Sequence, residues 1–214
     1  MPRHEPTHRP NSHRRILTSA GRVVREDGLG GSLNRIMSRL RMTKGGFYHH
    51  FRSKDVLLHE VLTDIFRSNR ETWRRRLEGL SGPPRVAEML DRYLSEEHLL
   101  DVSNGCVIPA VLSDLSRVPP ARRTPFDEYH RWLLEEMQPH MGGPAETSVE
   151  RASAILSLAF GALASARATG DPETRKAILS AARDAGRALC SPPLPEDVCP
   201  DKSLDRKADR TADG

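Results

Sequence analysis

Residues 32–54 concentrate the polar side chains whose types and spacing could recognise a nucleic acid. The segment reads SLNRIMSRLRMTKGGFYHHFRSK and predicts two short amphipathic helices separated by a tight turn. Lys44, near the start of the second helix, can donate hydrogen bonds to the O6 and N7 atoms of guanine. In a helix-turn-helix the second helix lies in the major groove of DNA, and the pattern predicts that arrangement here.

Two consecutive glycines follow Lys44 inside the predicted second helix. Each glycine in a helix costs about 1 kcal/mol relative to alanine, so Gly45 and Gly46 need an explanation. Close approach of the backbone to DNA is one explanation. The alternative is that residues 43–46 form a simple turn and the helix begins later.

The charge of the chain is distributed unevenly. Residues 1–54 contain 12 Lys and Arg against 3 Asp and Glu, a net charge of +9. Residues 55–214 contain 21 Lys and Arg against 26 Asp and Glu, a net charge of −5. This asymmetry predicts a polyanion-binding module on an acidic body, although a basic surface that binds nothing would have the same composition.

Cys106 is a second candidate for chemistry, because it follows Asn104-Gly105 at the predicted start of a helix. A helix N-terminus lowers the pKa of a thiol and so favours the reactive thiolate. Free cysteines are more often buried and inert, so the alternative is a small core residue. Both interpretations remain open from the sequence.

The remaining residue types favour neither an enzyme nor a metal site. No spacing brings His98 and His130 together with Cys106, and the sequence has no phosphate-binding loop or nucleophile motif. The nine histidines are scattered, and the three cysteines form no Cys-x-x-Cys pair. We therefore expect no catalytic residues, no metal and no cofactor. We also expect a cytoplasmic protein, since no secretory signal and no membrane-spanning apolar run is visible.

Helical spacing of apolar residues extends along most of the chain and predicts an all-α fold of about nine helices. We expect a mobile basic arm at 1–11, a three-helix domain with a helix-turn-helix at 12–55, a helical body at 56–190 and a disordered tail at 191–214. Predicted helix starts are Ser12 before a helix from about His13 to Asp27, Thr43 before a helix through His50, Ser53, the capping box Thr147-x-x-Glu150, and Asp171-Pro172.

Residues 14–62 resemble the DNA-binding domain of the TetR family of bacterial repressors. The resemblance rests on Ala20-x-x-Val23-Val24, Gly28, Ile36 and Thr43-Lys44-Gly45-Gly46-Phe47-Tyr48-His49-His50-Phe51-x-Ser53-Lys54. The sequence departs from the family at Arg41, where a glycine is usual, and at Met37, where alanine is usual. If position 41 requires a positive φ, Arg41 costs about 1–2 kcal/mol.

The resemblance implies roles in DNA binding for several residues. Ser32, Thr43 and Tyr48 would contact phosphates, whereas Lys44, Gly46 and His49 would face base edges or nearby phosphates. Lys54 would bind a phosphate at a helix N-terminus, where the helix dipole also favours an anion. Three arginines are further candidates for phosphate contacts: Arg14 and Arg15, at the predicted start of the first helix, and Arg41 in the turn.

The resemblance also implies that residues 56–190 bind an unknown small-molecule inducer and form a homodimer through the last two helices. Candidate pocket residues are Phe126, Tyr129, His130, Trp132 and Phe160, although each could be plain core, and Cys106, because one branch of the family has Gly-Cys at this helix start. The predicted function is therefore a repressor that a small-molecule or thiol-reactive inducer releases from a palindromic operator. The alternative is a helix-turn-helix protein without small-molecule input.

Overall fold

The computed structural model describes residues 8–31 and 33–191, and ten α-helices make up most of them, with no strand among those residues. The all-α class predicted from the sequence is confirmed. The helices are α1 His8–Asp27, α2 Leu33–Leu40, α3 Lys44–His50, α4 Lys54–Arg76, α5 Pro83–Tyr93, α6 Glu96–Leu100, α7 Ile108–Arg117, α8 Thr124–Met137, α9 Ser148–Ala168 and α10 Pro172–Cys190.

Helices α1 to α3 share a small core with the first turns of α4. Helix α1 carries one apolar stripe: Ile16, Ala20, Val23 and Val24 are at most 1% exposed, and Leu17 is half-buried beside them. Ile36 and Met37 of α2 and Phe47 of α3 pack into the same core, which Phe51 and Leu57 complete. Apolar spacing on three short helices therefore fixes the orientation of α3, because only one face of α3 can contribute to that core.

The rest of the chain forms a helical body around α9 and α10. These two helices pack against each other, α5 packs on α10, and α8 packs on both α4 and α9. Helix α4 contacts α1 as well as α8, so it belongs to both parts of the molecule. Helix α1 also contacts α7, which gives the N-terminal helices a second connection to the body.

The first helix begins earlier than the sequence predicts. Helix α1 starts at His8, so Ser12 lies inside it and is not its cap. Pro10 lies in the first turn, where proline is tolerated because the N–H it lacks has no intrahelical acceptor. Residues 8–11 therefore belong to a helix rather than to the predicted arm. Residues 1–7, Ser32 and the predicted tail from 192 onwards lie outside the described residues.

Three further boundaries in the body differ from the prediction. Ser95 caps the separate helix α6 by accepting a hydrogen bond from the His98 N–H, which raises the count to ten helices. The helix that Ser53 begins, α4, could extend to Leu80 by its sequence, but it ends at Arg76. The capping box at Thr147 is not formed, because the Thr147 hydroxyl donates to the Pro144 carbonyl and accepts from Arg151.

One helical stretch, Ala145–Ala168, is long and apolar enough to cross a membrane by length and composition, with a mean hydropathy of 1.3. This stretch differs from the prediction that the chain has no membrane-spanning apolar run. Nearly half of its apolar window is buried against the rest of the protein. Helix α9 within it contacts α6, α7, α8 and α10, as well as the short turns that precede it. These contacts are typical of a core helix.

Candidate nucleic-acid interface and ligand cavity

Helix α3 presents one face outwards and is anchored by the other. Thr43 caps it as predicted, since the Thr43 hydroxyl accepts a hydrogen bond from the Gly46 N–H at 3.2 Å. Phe47 is 1% exposed, whereas Tyr48 is 57% exposed. The exposed positions of α3 are Lys44, Gly45, Tyr48 and His49. Their spacing places them on one face, which we call the α3 outer face.

The two glycines of α3 have different surroundings. Helix α3 begins at Lys44 and includes both, so the alternative of a later helix start is wrong. A Cβ atom at Gly46 would lie 3.2 Å from Met42 Cγ, so this half-buried residue is tightly packed. A Cβ atom at Gly45 would meet nothing within 4 Å, and Gly45 does not have a positive φ. No contact within the protein therefore requires glycine at position 45.

Arg41 occupies a backbone conformation that favours glycine. Its φ is +52°, which is the positive φ at which an arginine was expected to cost free energy. The Met42 N–H donates to Met37 O and the Arg41 N–H donates to Ser38 O, which is the Schellman pattern at the end of α2. Glycine is usual at this position because other residues carry a Cβ penalty of about 1–2 kcal/mol. The exposed Arg41 side chain lies in the turn directly before α3.

The other predicted DNA-contact residues lie around the N-terminal helices. Arg14 and Arg15 are exposed in the second turn of α1, not at the helix start. Lys54 begins α4, which Ser53 caps as predicted, and the Lys54 ammonium lies 3.4 Å from the Gly30 carbonyl oxygen. Ser32 is outside the described residues.

The carboxylates near this surface pair with basic side chains other than those of the predicted DNA-contact residues. Arg35 and Arg39 of α2 pair with Glu26 on α1, and Arg35 also pairs with Asp27. Among the described residues, no carboxylate pairs with four of the candidates, whose positive charge therefore faces solvent: Arg14, Arg15, Arg41 and Lys44.

A cavity of about 570 Å³ opens between α4, α5 and the loop of residues 101–107, which we call the α6–α7 loop. Charged residues line its mouth, including Arg76, Glu88 and Asp101. Aromatic residues line its floor, where a small apolar chamber of about 40 Å³ adjoins it. Four residues line both spaces: Trp73, Tyr93, Cys106 and Tyr129. A polar mouth over an apolar floor can accommodate a small amphipathic molecule.

Cys106 is buried at this junction, and burial raises the pKa of its thiol. The Tyr93 hydroxyl, Arg167 and Arg25 lower that pKa, but desolvation is the larger effect. The Ile108 N–H at the start of α7 also lowers the pKa of the thiol, as expected of a helix N-terminus, but burial outweighs this effect. Helix α7 begins two residues later, at Ile108, so the loss of solvent dominates and the thiol stays protonated at neutral pH.

His98 holds the α6–α7 loop in place beside the cavity. The Cys106 N–H donates to His98 Nε2 at 2.8 Å, so Nε2 accepts, and Nδ1 carries the proton that is donated to Tyr93 O at 2.6 Å. Burial lowers the pKa of His98, and the nearby Arg167 lowers it further. The imidazole is therefore neutral, and both ring nitrogens are already paired.

The cavity brings together some of the predicted ligand residues. Cys106 and Tyr129 line both spaces, and Phe160 lines the inner chamber. Trp132 is buried against Tyr129, with ring centroids 5.6 Å apart, and Arg70 lies over both rings. Phe126 and His130 line a separate depression on the outside of α8, away from the other four.

Sequence reasoning missed most of the residues that line the cavity, including three whose side chains or contacts shape it. Trp73, Tyr93 and His98 come from α4, α5 and α6, and no local pattern connects them. The only available signal was the aromatic and polar spacing of Asn69 and Trp73 on one face of α4. Their meeting with Cys106 depends on how distant helices pack, which local periodicity does not determine.

Comparison with known proteins identifies the N-terminal helices. Residues 16–61 match the family model described as "Bacterial regulatory proteins, tetR family". The N-terminal domain matches this family. The match covers α1 from Ile16 onwards, all of α2 and α3 and the first turns of α4, and so includes the α3 outer face. The chain is therefore a helix-turn-helix transcriptional regulator that binds DNA.

A curated relative and two solved structures agree with this match. The HTH-type transcriptional repressor DhaR of Mycobacterium sp. (strain GP1) is 27% identical over 138 residues, which cover 64% of this chain and 69% of DhaR. A TetR-family regulator from Agrobacterium tumefaciens has a TM-score of 0.69 at 19% identity, covering 83% of this chain and 98% of that chain.

The second structure is AibR in complex with isovaleryl coenzyme A and operator DNA. It has a TM-score of 0.63 at 19% identity, covering 85% of this chain and 98% of that chain. At this level of identity both structural comparisons establish the fold alone. The shared fold extends over most of the described chain and so includes the helical body.

Proposed function

We propose that this TetR-family regulator is a cytoplasmic repressor that binds a palindromic operator as a homodimer. The observation that carries the proposal is the α3 outer face, where exposed polar side chains and an unexplained exposed glycine follow a turn with an unpaired arginine. An α-helix fits the major groove, and backbone at Gly45 can approach base edges without a Cβ in the way.

The predicted phosphate contacts lie within that face or close to it in the chain. Arg41 and Thr43 precede it, Tyr48 lies within it, and Lys54 follows it across the turn between α3 and α4. Arg14 and Arg15 extend the positive surface along α1. Phosphate contacts of this kind position the protein, whereas Lys44 and His49 would distinguish base pairs.

Dimerisation would occur through α9 and α10. Each helix exposes a row of small residues at helical spacing: Ala154, Ser157, Gly161 and Ser165 on α9, and Ala177, Ala181, Ala185 and Ala188 on α10. Small side chains allow close approach of a second helix pair. A two-fold dimer would carry two α3 helices to half-sites about one helical turn apart or more, which matches a palindromic operator.

Release from DNA would follow binding of a small molecule in the 570 Å³ cavity. The protonated state of the buried Cys106 favours a reversible ligand over a thiol-reactive inducer, because the thiolate is the nucleophile. AibR, which shares the fold, was solved with an acyl coenzyme A and operator DNA, and supports small-molecule control in this architecture.

Footprinting on the DNA that flanks the protein's own gene tests this proposal. A protected, two-fold symmetric site that disappears with a bound small molecule supports repression under ligand control. A protected site that no ligand affects would favour the second candidate function, a helix-turn-helix protein without small-molecule input. A Cys106→Ser variant that still responds to every inducer would exclude the thiol-reactive route.

A further inference from the structure

The α6–α7 loop separates two spaces that face different parts of the molecule. On one side Asp101, Gly105 and Cys106 line the cavity. On the other side Ser103 lines an open groove that α1 and α2 border. Asn104 borders both spaces. A change in the position of this loop would therefore alter both the lining of the cavity and the groove beside the helix-turn-helix.

Two consecutive residues of α1 bind this loop. The Arg25 guanidinium donates from Nε to the Gly105 carbonyl oxygen at 2.7 Å. The Ser103 hydroxyl donates to a Glu26 carboxylate oxygen at 2.8 Å. The same Glu26 carboxylate accepts from Arg39 of α2 at 2.8 Å. A chain of hydrogen bonds thus runs from the wall of the cavity to the helix directly before the Arg41 turn.

The opposite side of the loop is held by the body. The Arg167 guanidinium of α9 donates to the His98 carbonyl oxygen at 3.0 Å and, over longer distances, to the carbonyl oxygens of Leu99 and Cys106. Gly105 has no spare room, because a Cβ atom there would lie 2.5 Å from the Asp101 carbonyl oxygen. A loop packed this tightly shifts as a unit between discrete positions rather than deforming gradually.

Arg25 makes the connection costly to break. Its guanidinium is largely buried, and within the described residues its hydrogen bond is to Gly105 alone, with no carboxylate ion pair. A Cβ atom at Gly21 would lie only 3.3 Å from the Arg25 guanidinium, so Arg25 fills the space that this glycine leaves. If the loop moved away, a buried cation would lose its acceptor, so α1 is expected to follow the loop.

We infer that Arg25 and Glu26 are positioning residues that transmit the position of the α6–α7 loop to the helix-turn-helix. The inference rests on the proposed ligand-controlled DNA binding and names the contacts that would couple the two sites. Because coupling between two sites is reciprocal, operator DNA must stabilise the loop if the loop position controls DNA binding. The test therefore requires DNA and no knowledge of the inducer.

The experiment measures amide hydrogen exchange of the peptide covering residues 101–107, with and without a promoter duplex identified by footprinting. In the wild-type protein we expect the duplex to slow exchange at least about fivefold, the lower end of typical allosteric coupling. In Arg25→Gln the slowing should fall below about twofold, while circular dichroism shows a folded protein. Ser103→Ala, which removes only the bond to Glu26, should give an intermediate slowing.

Arg22→Gln is the matched control. Arg22 lies one turn before Arg25 on the exposed side of α1 and forms no hydrogen bond or ion pair among the described residues. This variant should keep the wild-type slowing. If the promoter duplex binds but leaves amide exchange of the loop unchanged, the inference is overturned and the proposed function stands. The same holds if the duplex slows exchange in Arg25→Gln as much as in the wild-type protein. If no promoter duplex binds at all, both are overturned.

Discussion

Gly45 separates folding from DNA binding at the scale of a single residue. Its helical position has open space where a Cβ would be, so Gly45→Ala should raise the free energy of unfolding by up to about 1 kcal/mol. The same methyl group would lie between the α3 backbone and the major groove, so operator affinity should fall at least about tenfold, or about 1.4 kcal/mol. Urea unfolding and fluorescence anisotropy measure the two effects. A stabilised variant with full operator affinity would contradict the proposed docking of α3.

At Arg41, as at Gly45, a substitution should stabilise the fold and weaken DNA binding, but for a different reason. Arg41→Gly removes the penalty of a positive φ and should stabilise the protein by about 1 kcal/mol. It also removes a phosphate contact, so the slope of log affinity against log salt should become shallower by about 0.9. Arg41→Asn is the control, because asparagine tolerates this conformation without the charge and should match glycine in salt slope. An unchanged slope in both variants would exclude the contact.

His98 predicts how stability depends on pH. Burial lowers the pKa of His98, so the unfolded chain binds the proton more readily than the folded protein. The contribution of the neutral His98 to the free energy of unfolding is therefore complete above its unfolded pKa of about 6.5. It is lost as the pH falls towards the lower pKa of the folded protein. The difference in unfolding free energy between wild type and His98→Gln should narrow between pH 7.5 and pH 5. His130 also has a lowered pKa, but it is present in both proteins and cancels. A constant difference across this range would contradict a neutral, doubly paired His98.

At the scale of helices, the exposed small residues of α9 and α10 form the proposed dimer surface. A Cβ atom at the exposed Gly161 would meet nothing within 4 Å among the described residues, so Gly161→Arg should leave the monomer folded and prevent close approach of a partner. We expect sedimentation equilibrium to change from twice the 23.9 kDa chain mass to that mass. Operator affinity should fall at least about tenfold, because the two half-sites no longer act together. Ser113→Arg, on an exposed site of α7, should remain dimeric.

The structure bears out the sequence where an element depends on its own residues. Helix α3 was predicted from the Thr43 cap to His50, because the cap and the core anchor Phe47 lie within eight positions. The start of α1 was missed because proline near a helix start is compatible both with irregular chain and with a first helical turn, and Pro10 lies in such a turn. The Thr147 capping box failed because a short turn before α9 uses the Thr147 hydroxyl instead.

The cavity could not be predicted in the same way. Trp73, Tyr93 and Cys106 are separated by 13 to 20 residues in sequence, and they meet only after α4, α5 and the α6–α7 loop have packed. The direction of the Cys106 pKa shift was also missed, since a helix start is visible in sequence and complete burial is not. Local patterns identify chemical groups, whereas the solvent around them depends on tertiary structure.

At the scale of the whole molecule, the charge asymmetry acquires a spatial meaning. Among the described residues, Arg41 and Lys44 lie in the turn before α3 and on α3, and Arg14 and Arg15 lie on α1, all without acidic partners. The acidic body carries the cavity and the small-residue faces of α9 and α10. Helix α1 spans both regions, with exposed arginines near its start and the Arg25 contact near its end. One helix is therefore placed to connect DNA contact with the ligand cavity.

The most direct test of the central claim is an anisotropy titration of a labelled duplex from the protein's own promoter against a shuffled duplex at about 0.15 M salt. If α3 reads the major groove, wild type should prefer the promoter by at least about 10³-fold. Lys44→Ala should reduce that preference about tenfold or more, because a good base contact contributes about 1–3 kcal/mol. Equal affinity for the two duplexes, or an unchanged preference in Lys44→Ala, would contradict the account.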